Sequence, residues 1–184
     1  MIVPANTFLA AANAARLVGA EVVFADIDPK SGQMLAEHAE AAHARADDNR
    51  VAGVMPVYFA GQCAAPADLA DFACTHDLRV IEDGCHALGT TYDSAAGHHH
   101  VGGNDHADMT TFSFHPVKTI TTAEGGAITT RDADLAEKLR RYRNHGMTRD
   151  PAQLTNEALA HAADGAVNPW YYEMAEPGLN YRVS

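Results

Sequence analysis

The chain has 184 residues, of which 47% are hydrophobic and 20% are charged, and its formal net charge is -11. This length is enough for one domain with its own core, and the composition is that of an ordinary globular protein. The acidic balance argues against nucleic acid as a partner, because nucleic-acid binders usually carry a basic face. No run approaches the ~18 apolar residues of a membrane span, and no basic stretch precedes an apolar segment as in a signal peptide.

The predicted elements alternate between strands and helices along most of the chain. Apolar runs predict strands at residues 1–4, 21–26, 51–59, 79–82, 109–114 and 127–130. Helical spacing and start signals predict helices at residues 8–19 (capped by Asn6 or Thr7), 31–46, from Pro66 onward, and 132–144 (capped by Asp132). Residues 95–105 and 149–167 are predicted to be loops. This alternation predicts an α/β fold with a mainly parallel sheet that is covered on both faces.

The cysteines indicate the redox compartment. Cys63, Cys74 and Cys85 are odd in number and have no CxxC spacing. We therefore expect reduced thiols in a cytoplasmic protein, not a disulfide framework or a zinc site.

A lysine lies in a loop of small residues between two predicted strands. Residues 113–127 read Ser-Phe-His-Pro-Val-Lys-Thr-Ile-Thr-Thr-Ala-Glu-Gly-Gly-Ala, with Lys118 in the middle. Strand ends that lead into such loops are where α/β folds place their chemistry. A partly desolvated lysine there can be neutral often enough to attack a carbonyl group. The alternative is an ordinary surface lysine.

An aspartate ends another buried strand, within residues 80–89. A carboxylate at that position costs free energy unless it meets a positive partner, such as a protonated ring nitrogen. Enzymes that use pyridoxal phosphate (PLP) pair an acid with the pyridinium nitrogen in this way. Asp83 is the candidate, and His86 could lie beside the same ring. The alternative is that Asp83 only caps the next turn.

Asp83 and Lys118 both follow strand ends, so both can open on one edge of a parallel sheet. The combination resembles the fold-type I PLP enzymes and, within them, the DegT/StrS sugar-nucleotide aminotransferases. The matching segments are residues 4–8, 19–20, 82–89, 113–127 and 178–182. The resemblance implies the large domain of that fold, with a mainly parallel sheet of the seven-stranded type and helices on both faces.

Two further segments narrow the resemblance. Residues 145–150 and 169–174 resemble the branch that makes UDP-4-amino-4,6-dideoxy-N-acetyl-β-L-altrosamine, a step toward pseudaminic acid. The implied reaction moves an amino group from L-glutamate to the C4 keto group of a UDP-linked 4-keto-6-deoxy sugar. Relatives that dehydrate sugars carry histidine at the lysine position, so Lys118 favours transamination.

The resemblance implies a role for each site residue. Lys118 would form the Schiff base with PLP and later move the proton between substrate and cofactor. Asp83 would pair with the pyridine nitrogen, and His86 would lie near the phenolic oxygen of the ring. Ser113 would bind the cofactor phosphate.

Two more residues complete the implied site. Phe8 would stack on the face of the PLP ring, and Asn180 would reach the phosphate of the neighbouring subunit's cofactor, which implies a homodimer. The alternatives are a core aromatic at a helix start for Phe8 and a turn residue for Asn180.

The chain departs from the family in length. Residues 1–184 match a partial large domain, and the loop that cups the phosphate and the small C-terminal domain are expected to be absent. Loss of the cup predicts weak PLP affinity, since backbone donors to the phosphate are lost. A truncated, inactive member of the family is therefore an alternative.

A third alternative is a metal-binding or purely structural α/β module. His98, His99 and His100 lie near His106 and Asp105, and imidazoles can bind zinc, copper or nickel. Three consecutive histidines cannot easily face one ion, so we predict no metal site.

Overall fold

The structure is a computed structural model that describes residues 1–46 and 50–181. The chain divides into two compact units, the first formed by residues 1–131 and the second beginning at Asp132. Arg182, the last residue of the predicted 178–182 motif, lies outside the described residues. Among the described residues, no helix is both long and apolar enough to cross a membrane.

The first unit is built on a six-stranded sheet with the order β2-β1-β3-β4-β7-β8. Its strands, with the hairpin strands β5 and β6, are β1 (Ile2–Pro4), β2 (Val23–Ala25), β3 (Gly53–Val54), β4 (Arg79–Asp83), β5 (Thr91–Ser94), β6 (Gly97–His100), β7 (Met109–Ser113) and β8 (Gly126–Thr129). The pairs from β2 to β7 are parallel, and β8 is antiparallel to β7. The predicted mainly parallel sheet is confirmed, and the described residues give it six strands.

Three helices connect the parallel strands: α1 (Leu9–Leu17), α2 (Ala36–Ala44) and α3 (Pro66–Thr75). The crossover from β1 to β2 runs in the opposite direction to those from β2 to β3 and from β3 to β4. Right-handed crossovers therefore place α1 on one face and α2 and α3 on the other. The strand order reverses between β2 and β3, which makes the carboxyl end of β1 a topological switch point.

The main core lies between the sheet and the face shared by α2 and α3. These helices contact each other and the strands β1, β2 and β4. The buried side chains of this core are Ile2, Ala25, Met34, Ala39, Ala42, Val54, Leu69, Phe72, Ala73, Leu78 and Val80. The helix predicted from Pro66 onward is confirmed, and its residues Leu69, Phe72 and Ala73 are buried in this core.

Several predicted boundaries were wrong. Phe8, with an extended backbone, precedes α1, and neither Asn6 nor Thr7 caps that helix. The helix predicted at residues 31–46 begins at Ala36, because the Asp28 side chain binds the amide and hydroxyl of Ser31 in a turn before it. Local side-chain hydrogen bonds of this kind compete with helix formation.

The loop predicted at residues 95–105 was also wrong, since its first half is a strand. β6 pairs with β5 in an antiparallel hairpin that matches Tyr92 with His99 and Asp93 with His98. Gly97 turns the chain with φ +131, a conformation that L side chains rarely adopt. The low strand propensity of glycine and histidine is offset here by cross-strand side-chain pairing.

The second unit contains α4 (Ala133–Tyr142), β9 (Met147–Thr148), α5 (Glu157–Ala160) and β10 (Glu173–Met174). Asp132 caps α4 as predicted, because its side chain accepts hydrogen bonds from the amides of Asp134 and Leu135. β9 and β10 pair in antiparallel orientation. The loop predicted at residues 149–167 was wrong in part, since it includes α5 and a turn of 3-10 helix at Pro151–Gln153.

One carboxylate of the second unit links two of its segments. Glu173 accepts hydrogen bonds from the amides of Thr155 and Asn156, from the Thr155 hydroxyl and from the Tyr171 hydroxyl, all at 2.7–3.0 Å. The Asn156 amide, followed by the Thr155 donors, lowers the pKa of Glu173 from 4.5 to about 2. These donors favour the ionised form, and an acid that is protonated cannot accept all of them.

We expect Glu173→Gln to weaken the second unit at neutral pH and to flatten its response to acid. In the wild type, the stabilisation is present above pH 4.5 and is lost as the pH falls toward 2, because the unfolded chain binds the proton first. Urea unfolding between these pH values, followed by the fluorescence of Trp170, the only tryptophan, measures this loss.

Asp164→Asn is the matched control, because the Asp164 side chain accepts from one amide, that of Ala166. This variant should keep the acid response of the wild type. An acid response that survives in Glu173→Gln would contradict the role of Glu173.

Candidate functional site

The carboxyl ends of β4 and β7 lie side by side at one edge of the sheet. The two strands are parallel, and Asp83 is paired with Thr111. Asp83 ends β4, and Ser113 ends β7 two residues beyond that pair. Two of the predicted site residues therefore lie on adjacent strands at the same edge, which is where open α/β sheets bind ligands.

The position of Asp83 is fixed by its backbone and its side chain. Its amide donates to the Pro56 carbonyl at 2.8 Å, and its carbonyl accepts from the Tyr58 amide at 3.0 Å. Its carboxylate oxygen Oδ1 accepts from the Cys85 amide at 3.0 Å. These bonds fix both the strand end and the rotation of the carboxylate.

The loop that carries Lys118 closes on Phe114. The amides of Phe114 and Thr122 bind the carbonyls of Gly125 and Phe114 at 2.8 and 3.0 Å. Within the loop, the Lys118 amide donates to the His115 carbonyl at 2.9 Å. The Lys118 side chain is half-buried, so it is neither a core residue nor a freely solvated surface lysine.

The oxygen of Ser113 accepts a hydrogen bond from the amide of His115 at 3.3 Å. The hydroxyl proton is not needed for this contact, so it can be donated to another group. Ser113 follows Phe112, whose carbonyl oxygen would lie 2.7 Å from a Cβ atom added at Gly126. The glycine pair at the end of the motif therefore allows β8 to lie close to β7.

Cys85 is within electrostatic range of both Asp83 and Lys118. The pKa of the Cys85 thiol is raised to about 12, mainly by burial and then by the Asp83 carboxylate, while the Lys118 ammonium acts in the opposite direction. The two side chains therefore act on the same thiol with opposite sign. Asp83 ends β4, and the loop that carries Lys118 follows the end of β7, the neighbouring strand.

His86 lies beside the turn at Phe59–Gly61. Its Nδ1 atom accepts from the Ala60 amide at 3.4 Å, and its ring centroid is 6.0 Å from that of Phe59. In a neutral imidazole an accepting Nδ1 leaves the proton on Nε2, which can then donate. The exposed ring of His86 therefore offers a donor at the same edge as Asp83.

Phe8 and Asn180 do not belong to β4, β7 or the turns that follow them. Phe8 follows the carboxyl end of β1, at the switch point, and its side chain is 73% exposed. A core role for Phe8 is therefore wrong. Asn180 belongs to the second unit, where it forms a bridge with Asn144 and is exposed.

Three histidines in or near the hairpin are bound by other side chains. His99 contacts Asp105 and Ser94, His98 contacts Asp93, and His106 contacts Tyr92, at 2.8–3.2 Å. In the part of the chain that the structure describes, no three His, Cys, Asp or Glu side chains are arranged to hold a metal ion.

The sequence analysis missed a buried acid next to Asp83. Glu82 is 2% exposed and is bound by the hydroxyls of Tyr58 and Thr110. Strand alternation contained the signal, because Glu82 shares the inward face of β4 with Val80. Tyr58 could not be singled out, since it follows an apolar run and resembles an ordinary core residue.

Comparison with known proteins identifies the family. The sequence profile of the DegT/DnrJ/EryC1/StrS aminotransferase family matches residues 1–184. The chain belongs to this family. The family resemblance derived from the sequence motifs is thereby confirmed, and the aminotransferases of this family depend on PLP.

Three relatives illustrate the match within the DegT/StrS family. The UDP-4-amino-4,6-dideoxy-N-acetyl-β-L-altrosamine transaminase of Campylobacter jejuni is 34% identical over 178 residues, which cover 97% of this chain and 41% of that protein. The GDP-perosamine synthase of Caulobacter vibrioides is 39% identical over 147 residues, covering 80% of this chain and 37% of that protein.

The third relative is a solved structure. Helicobacter pylori PseC, an aminotransferase involved in the biosynthesis of pseudoaminic acid, superposes with a TM-score of 0.76 at 29% identity, covering 98% of this chain and 42% of that one. The chain therefore spans about two fifths of the length of the relatives it matches.

We expect the thiols of Cys63 and Cys85 to resist alkylation in the folded protein. The pKa of each is raised to about 12, in both cases mainly by burial. At about pH 8 the thiolate fraction of such a group is about 10⁻⁴, and the thiolate is the reactive form. Exposed Cys74 should take up iodoacetamide first, as measured by peptide mass spectrometry.

Cys74→Ser serves as the control, and it should leave the folded protein almost unlabelled until urea is added. Rapid labelling of Cys85 in the native protein would contradict the burial of this thiol beside Asp83.

Proposed function

We propose that this chain forms the PLP-binding part of an aminotransferase that moves an amino group from L-glutamate to the C4 keto group of a UDP-linked 4-keto-6-deoxy sugar. The observation that carries the proposal is the parallel pairing of β4 with β7, which places Asp83 and Ser113 at adjacent strand ends beside the loop that carries Lys118. A carboxylate and an amine at one sheet edge are what PLP chemistry requires of a protein.

The groups at this edge fit PLP in their chemistry. Asp83 offers a fixed carboxylate to a protonated ring nitrogen, and Lys118 offers a primary amine. Ser113 offers a hydroxyl proton to a phosphate, and His86 offers an Nε2 proton to a phenolic oxygen. Exposed Phe8 offers an aromatic face at the switch point of the sheet.

PLP, when bound, supplies an electron sink for the carbon that loses its proton. The protein's task is to hold its own groups around that carbon. Asp83 keeps a proton on the ring nitrogen, because an ionised carboxylate favours the charged partner. Lys118, as a free amine, accepts and returns the proton of the substrate carbon, which is the work of a general base.

The proposed sugar follows the relatives and the sequence motifs. The Campylobacter jejuni enzyme is named as a transaminase of a UDP-linked amino sugar, and PseC is named for pseudoaminic acid biosynthesis. Residues 145–150 and 169–174, which carry the narrower resemblance, support the same substrate. GDP-perosamine synthase, a relative named for a GDP-linked sugar, is the reason to test GDP sugars alongside UDP sugars.

The assembly and compartment are part of the proposal. We infer a homodimer in which Asn180 of each subunit reaches the cofactor phosphate of its neighbour. Exposed Asn180 and Tyr181 support this inference, because both can take a partner. The free thiols of Cys63, Cys74 and Cys85 support a cytoplasmic enzyme.

Borohydride labelling tests the cofactor site directly. When the chain is incubated with PLP and reduced, we expect a stable pyridoxyl group on Lys118, because a half-buried amine beside a bound carbonyl compound reacts faster than a solvated one. Peptide mass spectrometry locates the group among the three lysines of the chain, Lys30, Lys118 and Lys138.

The variants make the labelling test specific. Lys118→Met should abolish the label at limiting PLP, whereas Lys30→Met should keep it. Asp83→Asn should weaken PLP binding by about tenfold or more, since a charge-assisted contact to the ring nitrogen is lost. Its control, Asp93→Asn, changes an exposed aspartate of the hairpin. Equal labelling of all three lysines would contradict the proposal.

A further inference from the structure

Glu82 is a buried acid that the proposed chemistry does not use. It lies in β4 next to Asp83, and its side chain is 2% exposed. The Tyr58 hydroxyl donates to Oε1 at 2.5 Å, and the Thr110 oxygen Oγ1 lies 2.6 Å from Oε2. A buried carboxylate that is ionised destabilises the fold unless a cation offsets its charge.

The groups that face this carboxyl group provide little positive charge. They are Tyr58, Cys63, Tyr92, Asp105 and His106. Burial is the largest cause and raises the pKa of Glu82. The hydrogen bonds with Thr110 and Tyr58 and the charge of His106 lower it, Asp105 raises it, and the net shift is upward. Asp105 is itself bound by Arg131 and His99. The surroundings therefore favour the neutral acid.

The hydrogen bonds give an independent count of protons. Asn104 Nδ2 lies 3.0 Å from the Gly102 carbonyl, which can only accept, so the amide group must present Nδ2 there and Oδ1 to Thr110. Thr110 Oγ1 lies 2.8 Å from that Oδ1 and 2.6 Å from Glu82 Oε2. Thr110 has one hydroxyl proton, so an ionised Glu82 leaves one of these contacts without hydrogen.

When Glu82 carries a proton, each contact of this series contains one hydrogen atom, and all of these hydrogens are donated in the same direction along the series. Tyr58 donates to Oε1, the acid proton on Oε2 is donated to Thr110, and Thr110 donates to Asn104. Asn104 then donates to the Gly102 carbonyl and to the Thr129 hydroxyl oxygen, each at 3.0 Å. The series joins β4, β7 and β8.

We propose that Glu82 is protonated in the folded protein and that, as a neutral acid, it is the positioning residue for Asp83. Tyr58 makes the connection, because its side chain binds Glu82 while its amide binds the Asp83 carbonyl at 3.0 Å. The Thr111 hydroxyl adds a bond to the Glu82 carbonyl at 3.2 Å. The positioning of Asp83 rests on the proposed function, whereas the protonation does not.

Glu82→Gln tests the protonation, because glutamine reproduces the neutral acid: its oxygen accepts from Tyr58 and its nitrogen donates to Thr110. We expect the variant to match the wild type near pH 4.5, the ordinary pKa. Above pH 4.5, the unfolded wild type releases the proton of Glu82 and the folded wild type keeps it, so the wild type loses stability as the pH rises. Relative to Glu82→Gln, its unfolding constant should increase by up to about tenfold per pH unit.

Asp108→Asn is the matched control for this unfolding series. Asp108 is an acid at the other end of the same strand pair, and it binds the Val80 amide at 2.8 Å and Arg79 at 3.0 Å. The Asp108→Asn variant is expected to be less stable than the wild type at neutral pH, because the ionised partner of Arg79 is removed. If Glu82→Gln behaves like Asp108→Asn, Glu82 is ionised and the proposal is overturned.

Amide hydrogen exchange tests the positioning without any cofactor. The reporter amides are those of Tyr58, Asp83 and Gly84, which bind carbonyls at 2.8–3.0 Å, and the Met55 amide, bound to the Ile2 carbonyl, is the reference. Tyr58→Phe and Thr110→Val should speed exchange at the reporters by roughly fivefold to tenfold relative to Met55. Glu82→Gln should leave the ratio unchanged.

The two proposals fail in distinguishable ways. Fast reporter exchange in Glu82→Gln, equal to that in Tyr58→Phe, overturns the positioning role. Absence of a pyridoxyl group on wild-type Lys118 overturns the proposed function, but the pH series still decides the protonation of Glu82. If both proposals hold, Glu82→Gln should retain the PLP affinity of the wild type, and Tyr58→Phe should lower the PLP affinity. Equilibrium fluorescence measures this affinity.

Discussion

The parallel pairing of β4 with β7 is the constraint on which the rest of this edge depends. The register that sets Asp83 opposite Thr111 brings two strand ends together that are far apart in sequence. Each end then leads into a short, strongly bonded turn: one carries His86, and the other carries Lys118. Without this pairing, the carboxylate and the amine would belong to separate loops, and no site could be proposed from them.

The same strand gives two adjacent acids opposite environments. Glu82 faces the interior, where burial favours a neutral carboxyl group bound by hydroxyls. Asp83 faces the edge, where the Cys85 amide supports one carboxylate oxygen and the loop that carries Lys118 leaves the neighbouring strand. The alternation of side chains along a strand is the whole cause of this difference. One acid thereby contributes to the scaffold and the other is available for chemistry.

Much of the fold could be predicted from the sequence, because alternating apolar runs and helix start signals are local. The sheet, the Pro66 start of α3 and the Asp132 cap of α4 are examples. The hairpin at Thr91–Ser94 and Gly97–His100 could not, since its strands are stabilised by cross-strand pairs that no local propensity reports.

The candidate site was predictable where a motif carries charge at a strand end, as at Asp83 and Lys118. The tertiary contacts around those residues were not. Tyr58 and Thr110 are joined to Glu82 only by the tertiary fold, and the Ala60 amide reaches His86 across 26 positions of sequence. Such contacts depend on three-dimensional proximity, for which residue spacing provides no signal.

The alternation in β4 also limits how this segment can change over evolutionary time. Insertion or deletion of a single residue between Arg79 and Glu82 would rotate the remaining strand by half a period and exchange the inward and outward acids. Point substitutions leave the two faces in place, whereas a change of length by one residue exchanges them unless a bulge absorbs it. The alternation therefore constrains the length of this strand more strictly than it constrains its composition.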